Sequence, residues 1–129
     1  MYAFTAELDL PVDQVIERLK SALATHKMGV VSEVGVQAIM KAKMNREVPP
    51  YRLLGICGPG YAHRVIEADA DMGALLPCGC AVYQTDAGRT RVALQNPASV
   101  AALSDKAEIR AAMDEAGAIL AQVAAGLAT

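Results

Sequence analysis

Aromatic residues and clustered positive charge are both scarce in this chain of 129 residues. Tryptophan is absent, phenylalanine occurs once, and aromatic residues make up 4% of the composition. The formal net charge is -2 at pH 7, from 12 basic and 14 acidic residues. Nucleic-acid binding depends on clustered positive charge and on stacking side chains. Composition therefore argues against nucleic acid as the main partner.

Long apolar runs are also missing. No stretch reaches the roughly 18 apolar residues that a membrane span requires, so the sequence predicts no membrane partner. The first residues, Met1 to Glu7, lack the basic and apolar regions of a secretory signal peptide. Three cysteines, an odd number, without a secretion signal predict reduced thiols and a cytoplasmic location.

Apolar periodicity predicts most of the secondary structure. Alternating patterns predict strands at residues 2–8, 30–36, 51–57, 78–85 and 90–95, and helical spacing predicts helices at 12–23, 37–44 and 62–69. Asp86-Ala87-Gly88 predicts a hairpin between the last two strands. In the second strand we expect one shared face for alternate residues, namely Val30, Ser32, Val34 and Val36.

A long final helix completes the pattern. Asp105 and Glu108 resemble a capping box at its start. Apolar residues then recur at spacings of four and three, which fits either a helix lying on the sheet or a dimer zipper; we favour the first. The order of elements is not a strict strand–helix alternation. It predicts a single α+β domain, residues 1–129, with a mostly antiparallel sheet of about five strands and its main helices on one face.

All three cysteines lie in two apolar segments interrupted by glycine and proline, Leu54–Pro59 and Leu75–Cys80. On a regular strand Cys78 and Cys80 share a face with Cα atoms about 6.5–7 Å apart, at the limit for a disulfide. A bridge to either from Cys57 on a neighbouring strand is easier, which suggests a reversible thiol pair. The commoner role of such cysteines is that of small buried hydrophobes. Adding His63 gives a Cys₃His set, but its spacing does not match a zinc site, and we predict no metal.

The Gly58-Pro59-Gly60 turn leads into a short helix whose first turn would carry His63 and Arg64. Free amides at a helix start, beside a cation, suit a carboxylate or phosphate, although an exposed polar turn is the simpler interpretation. No catalytic constellation or nucleotide-binding motif stands out, so no catalytic residue and no cofactor is assigned. The candidate ligand-binding or redox residues are Cys57, Gly58, Pro59, His63, Arg64, Pro77, Cys78 and Cys80.

Several of these segments resemble a family of small prokaryotic proteins, domain of unknown function 302. The resemblance rests on residues 54–59, on the Leu75-Leu76-Pro77-Cys78 element with Met72-Gly73-Ala74 before it, on Val82-Tyr83, and on residues 29–34 and 50–51. It implies a compact α+β fold laid out like the TATA-binding protein, and a homodimer. It implies no established activity. The chain departs from the family pattern at Gly35, Gly58 and Cys80.

Taken together, these features predict a small cytoplasmic binding or interaction protein. Its ligand, a small anionic or thiol-reactive molecule, would bind where the Cys57–His63 turn faces the Leu76–Cys80 segment. The alternative is a thiol-based redox or sulfur-handling protein that uses Cys57, Cys78 and Cys80.

Overall fold

The structure, a computed structural model, describes residues 1–128. Within that range the chain forms five strands, five α-helices and one 3₁₀ helix, Ala70–Leu75. The strands are β1 (Ala3–Leu8), β2 (Gly29–Gly35), β3 (Tyr51–Cys57), β4 (Cys78–Gln84) and β5 (Thr90–Gln95). The helices are α1 (Val12–Ala24), α2 (Val36–Met44), α3 (Pro59–Ala68), α4 (Pro97–Ala101) and α5 (Ala107–Leu127).

The five strands form one sheet in the order β1-β5-β4-β3-β2, and every neighbouring pair is antiparallel. The predicted hairpin between β4 and β5 is confirmed. Its turn closes through the Thr85 amide, which donates to the Arg89 carbonyl at 2.8 Å. Gly88 takes a φ of 80° there, a left-handed conformation that glycine adopts without steric cost.

Helices α1 and α5 cover one face of the sheet. Helix α1 buries one stripe against it, through Val15, Ile16, Leu19 and Leu23. The sheet supplies alternate residues of its inner face, including Leu54, Ile56, Cys78, Cys80, Val82, Val92 and Leu94. Burial of this apolar surface is the main force that holds the helices on the sheet. The predicted α+β architecture, with the main helices on one face, is confirmed.

The apolar seam of α5 is buried inside the chain itself. Its residues, Ile109, Met113, Ala116, Leu120, Val123 and Leu127, are all buried. The C-terminal half of this seam packs in the main core over the sheet. Ile109 and Met113, in its N-terminal half, join a second cluster with Val65 of α3 and Met72 of the 3₁₀ helix. This confirms the helix-on-sheet interpretation over the zipper. The second cluster also fixes α3 beside one end of the sheet.

Three local predictions are wrong. Helix α3 begins at Pro59, not near residue 62, because proline suits a first helical turn; His63 and Arg64 therefore lie beyond that turn. No capping box forms at α5, whose N-cap is Lys106 without a side-chain cap.

The third error concerns β2. A bulge between Val30 and Ser32 switches the alternation, so Val30 pairs with inner-face Ile56 whereas Ser32 and Val34 lie on the opposite face. The residue predicted to continue that face, Val36, begins α2 instead.

Two short elements had no predicted counterpart. The 3₁₀ helix begins after Asp69, whose carboxylate accepts from the Asp71 amide at 3.1 Å. Helix α4 begins after Asn96, whose side chain accepts from the Ala98 amide at 3.1 Å. Both are Asx-type caps that start a turn from one side-chain hydrogen bond. Among residues 1–128 no helix is both long enough and apolar enough to cross a bilayer.

Candidate functional site

The two cysteine-containing segments meet at one end of the sheet. Antiparallel pairing places the start of β2, the end of β3 and the start of β4 side by side, with Gly29 opposite Cys57 and Ile56 opposite Cys78. Helix α3 leaves this end directly after Cys57. The polypeptide therefore brings positions 57 and 78 together although 20 residues separate them in sequence.

A small apolar cavity, here called the thiol cavity, lies at this junction. Its volume is about 40 Å³. The sheet contributes Ile56, Cys57 and Cys78 to its walls, and the approach to β4 contributes Leu76 and Pro77. The remaining walls come from Met28, from residues of α3 and its N-cap (Gly58, Tyr61, Ala62, Val65), and from residues of α5 (Met113, Ala116, Leu120).

Two glycines allow these segments to approach closely. A Cβ at Gly55 would overlap the Pro77 ring and the Ser32 hydroxyl, so this glycine lets the Pro77 segment lie against β3. A Cβ at Gly58 would come within 3.1 Å of both Met28 and Tyr61. The peptide bond between Leu76 and Pro77, which both line the cavity, is cis.

The three thiols differ sharply in environment. Burial raises the pKa of Cys78 to about 11, with a smaller contribution from the neighbouring Cys57 thiol. Burial also raises the pKa of Cys80 to about 12. Cys57, at the end of β3, is only half-buried. Since the thiolate is the reactive form of cysteine, Cys57 is the thiol best placed to react with a molecule from solvent.

The structure gathers four of the eight candidate residues and separates the others. Cys57, Gly58, Pro77 and Cys78 line the thiol cavity. Cys80 pairs with Leu54, one step further along the sheet, and lies in the main core.

The other three candidates lie on α3, outside the cavity. Pro59 is exposed at the first helical turn. His63 is exposed and lies 3.5 Å from the Glu67 carboxylate on the same helix. Arg64 donates to the Glu115 carboxylate of α5 at 2.8 Å. That ion pair raises the pKa of Arg64 and lowers the pKa of Glu115.

A cationic groove, here called the rim, adjoins the thiol cavity. It has a volume of about 350 Å³ and shares Gly58 and Tyr61 with the cavity. Its charged side chains are Lys27, Arg64 and Glu115, and His26 lies beside them. The Arg64 guanidinium also lies 5.9 Å from the centre of the Tyr61 ring. Tyr61 thus forms the boundary between an apolar compartment and a mainly basic one.

Sequence reasoning missed several residues of this region. Met28, Tyr61 and Met113 line the cavity, and Lys27 lies in the rim. Tyr61 had a local signal, because it follows the Gly-Pro-Gly segment directly. Met28 and Met113 had none beyond their apolar character, since only the packing of α5 over the end of the sheet brings them to the thiols.

The proposed site is not the largest hollow in the described structure. Grooves of about 780 and 570 Å³ lie near the opposite ends of the same strands, around Asp9–Asp13 and around Tyr51 and Tyr83. Neither contains a thiol. We give the smaller cavity priority because it combines apolar walls with reactive groups, which pocket size alone does not supply. In residues 1–128 no three histidine, cysteine, aspartate or glutamate side chains form a group suited to a metal ion.

Comparisons with known proteins agree on the fold and the family. A solved structure described as an uncharacterized conserved protein DUF302 from Bacillus stearothermophilus superposes with a TM-score of 0.86. It is 24% identical, and the match covers 95% of each chain. No curated protein matches this sequence. The model of the family described as domain of unknown function DUF302 matches residues 4–127, and the chain therefore belongs to this family.

Proposed function

We propose that this protein binds a small anionic or thiol-reactive molecule at the thiol cavity and its rim. The observation that carries the proposal is the meeting of the Cys57–Gly58 and Pro77–Cys78 segments around one apolar cavity. Backbone held close by glycine and proline forms a preformed wall, and a half-buried thiol in that wall offers a reactive group. Such concave apolar sites with a few convergent polar groups are typical of ligand pockets.

The size of the cavity limits what can enter it. A volume of about 40 Å³ is roughly a quarter of the ~150 Å³ engineered cavity that holds benzene. It accommodates a group of a few heavy atoms, such as a short alkyl or acyl group. The larger part of any ligand would therefore remain outside, in the rim.

The rim favours a negative charge on that outer part. It brings together two cations, Lys27 and Arg64, against one carboxylate, Glu115. No side chain caps the start of α3, because its N-cap is Gly58; its first amides therefore have no side-chain partner that an anion would have to displace. An anionic group bound there would leave the other end of a short molecule beside Gly58, at the entrance to the thiol cavity.

A matched pair of alkylating reagents tests this proposal: iodoacetate, which is anionic, and iodoacetamide, which is neutral and similar in size. We expect Cys57 of the native chain to show a higher iodoacetate-to-iodoacetamide rate ratio than a short cysteine peptide. An interaction of about 0.5 kcal/mol, typical of a single charge acting through water at short range, changes the ratio about twofold. Arg64→Gln should therefore lower the ratio about twofold, whereas Arg110→Gln, outside the rim, should leave it unchanged. A native ratio equal to that of the peptide contradicts the proposal.

A second candidate function is thiol-based redox or sulfur chemistry. Cys57 and Cys78 both line the thiol cavity, and the Cys57 thiol contributes to the raised pKa of Cys78, so these two thiols are neighbours. In this reaction the Cys57 thiolate attacks a low-molecular-weight disulfide and releases one small thiol. Cys78 then displaces the second small thiol, so the protein loses two protons and two electrons while the small disulfide is reduced.

Intact mass after treatment with such a disulfide tests the redox function. We expect the loss of two hydrogen atoms in the folded protein. Cys78→Ser should stop at the mixed disulfide, while Cys80→Ser, a buried control, should behave as wild type. Three thiols that stay unreactive until the chain is denatured would rule out this function.

We also propose that the protein works in the cytoplasm as a homodimer. Three free thiols, Cys57, Cys78 and Cys80, support a reducing compartment. The resemblance to the DUF302 family supports the homodimer. Fractionation of cells that produce the protein tests the first statement, and light scattering of the purified chain tests the second.

A further inference from the structure

The face of the sheet that α1 and α5 leave open, here called the outer face, carries a row of residues without charge. Register places Thr5, Ala93, Ala81, Leu53 and Val34 side by side across all five strands. An antiparallel sheet that faces water normally alternates apolar residues inside with polar residues outside. Here four of the five outward positions are apolar.

The apolar residues of this row are accessible in a single copy of the chain. Leu53 is 45% exposed and Val34 is 40% exposed. In the next row along the strands, Gly55 lies beside Gly79 and Ser32, which adds no charge. A contiguous uncharged surface of this kind is typical of an interaction site rather than of a free surface.

Helix α2 shows the same lack of a partner. None of its nine residues is buried, and Ile39 is 43% exposed. Val36 and Met40 face a groove on the outer face, whose floor includes the stacked rings of Tyr51 and Tyr83. A helix of this length has little stability without packing. Its apolar residues therefore extend the outer face instead of closing it.

We propose that a second copy of the chain covers the outer face, in a two-fold interface of sheet against sheet. This inference rests on the homodimer proposed above and names its surface. The shape of the row favours self-association. The large side chains of Leu53 and Val34 project from the β3–β2 half, whereas the small side chains of Thr5 and Ala93 leave the β1–β5 half of the surface recessed. A two-fold axis that runs parallel to the strands over the central strand, β4, sets each projecting half on the low half of the other copy.

Charge and area agree with a second copy. The central row brings no like charges together when two copies meet. The row beside it, toward the Tyr51 and Tyr83 rings, carries Glu7 and Arg91, which form an ion pair at 3.2 Å and so add no unpaired charge. Five strands of about six residues span about 24 Å by 20 Å, or about 500 Å². With α2 added, two copies would bury about 1,200 Å² in total, which is the lower end of the range for stable interfaces.

Light scattering during size-exclusion chromatography tests this surface. We expect wild type at twice the chain mass of 13.5 kDa. Leu53→Glu, which buries an unpaired charge in the interface, should weaken association about a hundredfold or more and elute as a monomer. Leu103→Glu, at a residue 76% exposed between α4 and α5, should remain a dimer. Thr5→Glu, on an exposed strand position, should also dissociate, and circular dichroism melts verify that each variant is folded.

The possible outcomes distinguish a wrong choice of interface from the absence of a dimer. If wild type is a dimer and both Leu53→Glu and Thr5→Glu are still dimers, the outer-face assignment is wrong, although the homodimer itself is supported. A wild type that is monomeric at every concentration tested overturns both. Neither result bears on the thiol cavity, which lies beside the inner face of the sheet.

Discussion

Replacing Gly55 with alanine tests whether the close approach of Pro77 to β3 supports the thiol cavity. The added Cβ would overlap the Ser32 hydroxyl and the Pro77 ring. Ser32 is a short exposed side chain that can rotate away. The Pro77 ring is tied to its own backbone, so relief requires movement of the segment that leads into Cys78.

The expected loss of stability follows from the inability of the Pro77 ring to move aside. Overpacking by one methyl group at a site that cannot rearrange costs about 2 kcal/mol. For a chain of 129 residues, an unfolding entropy of about 2.1 cal/mol/K per residue converts this cost into a melting temperature about 7 °C lower. Movement of Pro77 also opens one wall of the cavity. We therefore expect faster alkylation of Cys78 in the native protein.

Gly79→Ala is the matched control. Gly79 lies directly opposite Gly55 on β4, yet a Cβ there meets nothing within 4 Å. Its melting temperature should stay within about 2 °C of wild type, since surface substitutions usually change stability by less than 0.5 kcal/mol. Both variants are also compared in the Leu53→Glu background, which removes any contribution from the pairing of copies. Ser32→Gly should restore only a small part of the Gly55→Ala loss.

The measurements are differential scanning calorimetry and the rate of iodoacetamide incorporation at Cys78. Equal stability of Gly55→Ala and Gly79→Ala would refute the argument that the Pro77 contact is tight. A destabilised Gly55→Ala with unchanged Cys78 alkylation would show that the contact stabilises the fold without enclosing the cavity.

Three further predictions concern titrating groups and thiols. In the native protein near neutral pH, alkylation should be fastest at Cys57, slower at Cys78 and slowest at Cys80, because burial raises the pKa of Cys78 to about 11 and of Cys80 to about 12. Peptide mass analysis over time measures these rates, and equal rates would contradict the prediction. Unfolded thiols ionise near pH 9 while these two stay protonated in the fold, so the free energy of unfolding should fall by about 1.4 kcal/mol per pH unit for each thiol between pH 9 and 11. Urea titrations check this slope, which should be shallower in Cys80→Ala. The Arg64 ion pair lowers the pKa of Glu115, so its stabilisation should be present above pH 4.5 and disappear as pH falls below that value; an Arg64→Gln variant with the same acid profile as wild type would contradict this.

Local pattern was sufficient for most of the elements. The predicted bounds of β3 and β5 agree with the structure, and those of α1 and α2 differ by one residue at one end. These segments have strong periodicity and clear stop signals. The errors fall where a single residue can change the outcome: a bulge in β2, an N-cap at Gly58, and a helix start without a side-chain cap at Lys106. Such details depend on tertiary contacts that a short pattern does not contain.

Prediction of the candidate site was partial for a related reason. The same-face placement of Cys78 and Cys80 follows from strand geometry and agrees with their burial in one core. Which of them neighbours Cys57 depends on the register between β3 and β4, and many registers satisfy the same apolar pattern. The structure brings Cys78 next to Cys57, leaves His63 and Arg64 out of the cavity wall, and places Arg64 in the adjoining rim.

Composition and periodicity thus determined the α+β class, the five strands, the hairpin and the seam of α5, because each is set by residues close together in sequence. The tertiary structure alone decided which thiol faces which, how closely Pro77 approaches Gly55, and that the open side of the sheet has no charge in its central row. These features arise where strands distant in sequence are placed side by side. Their energies come from packing between such segments, which no local stretch of residues specifies.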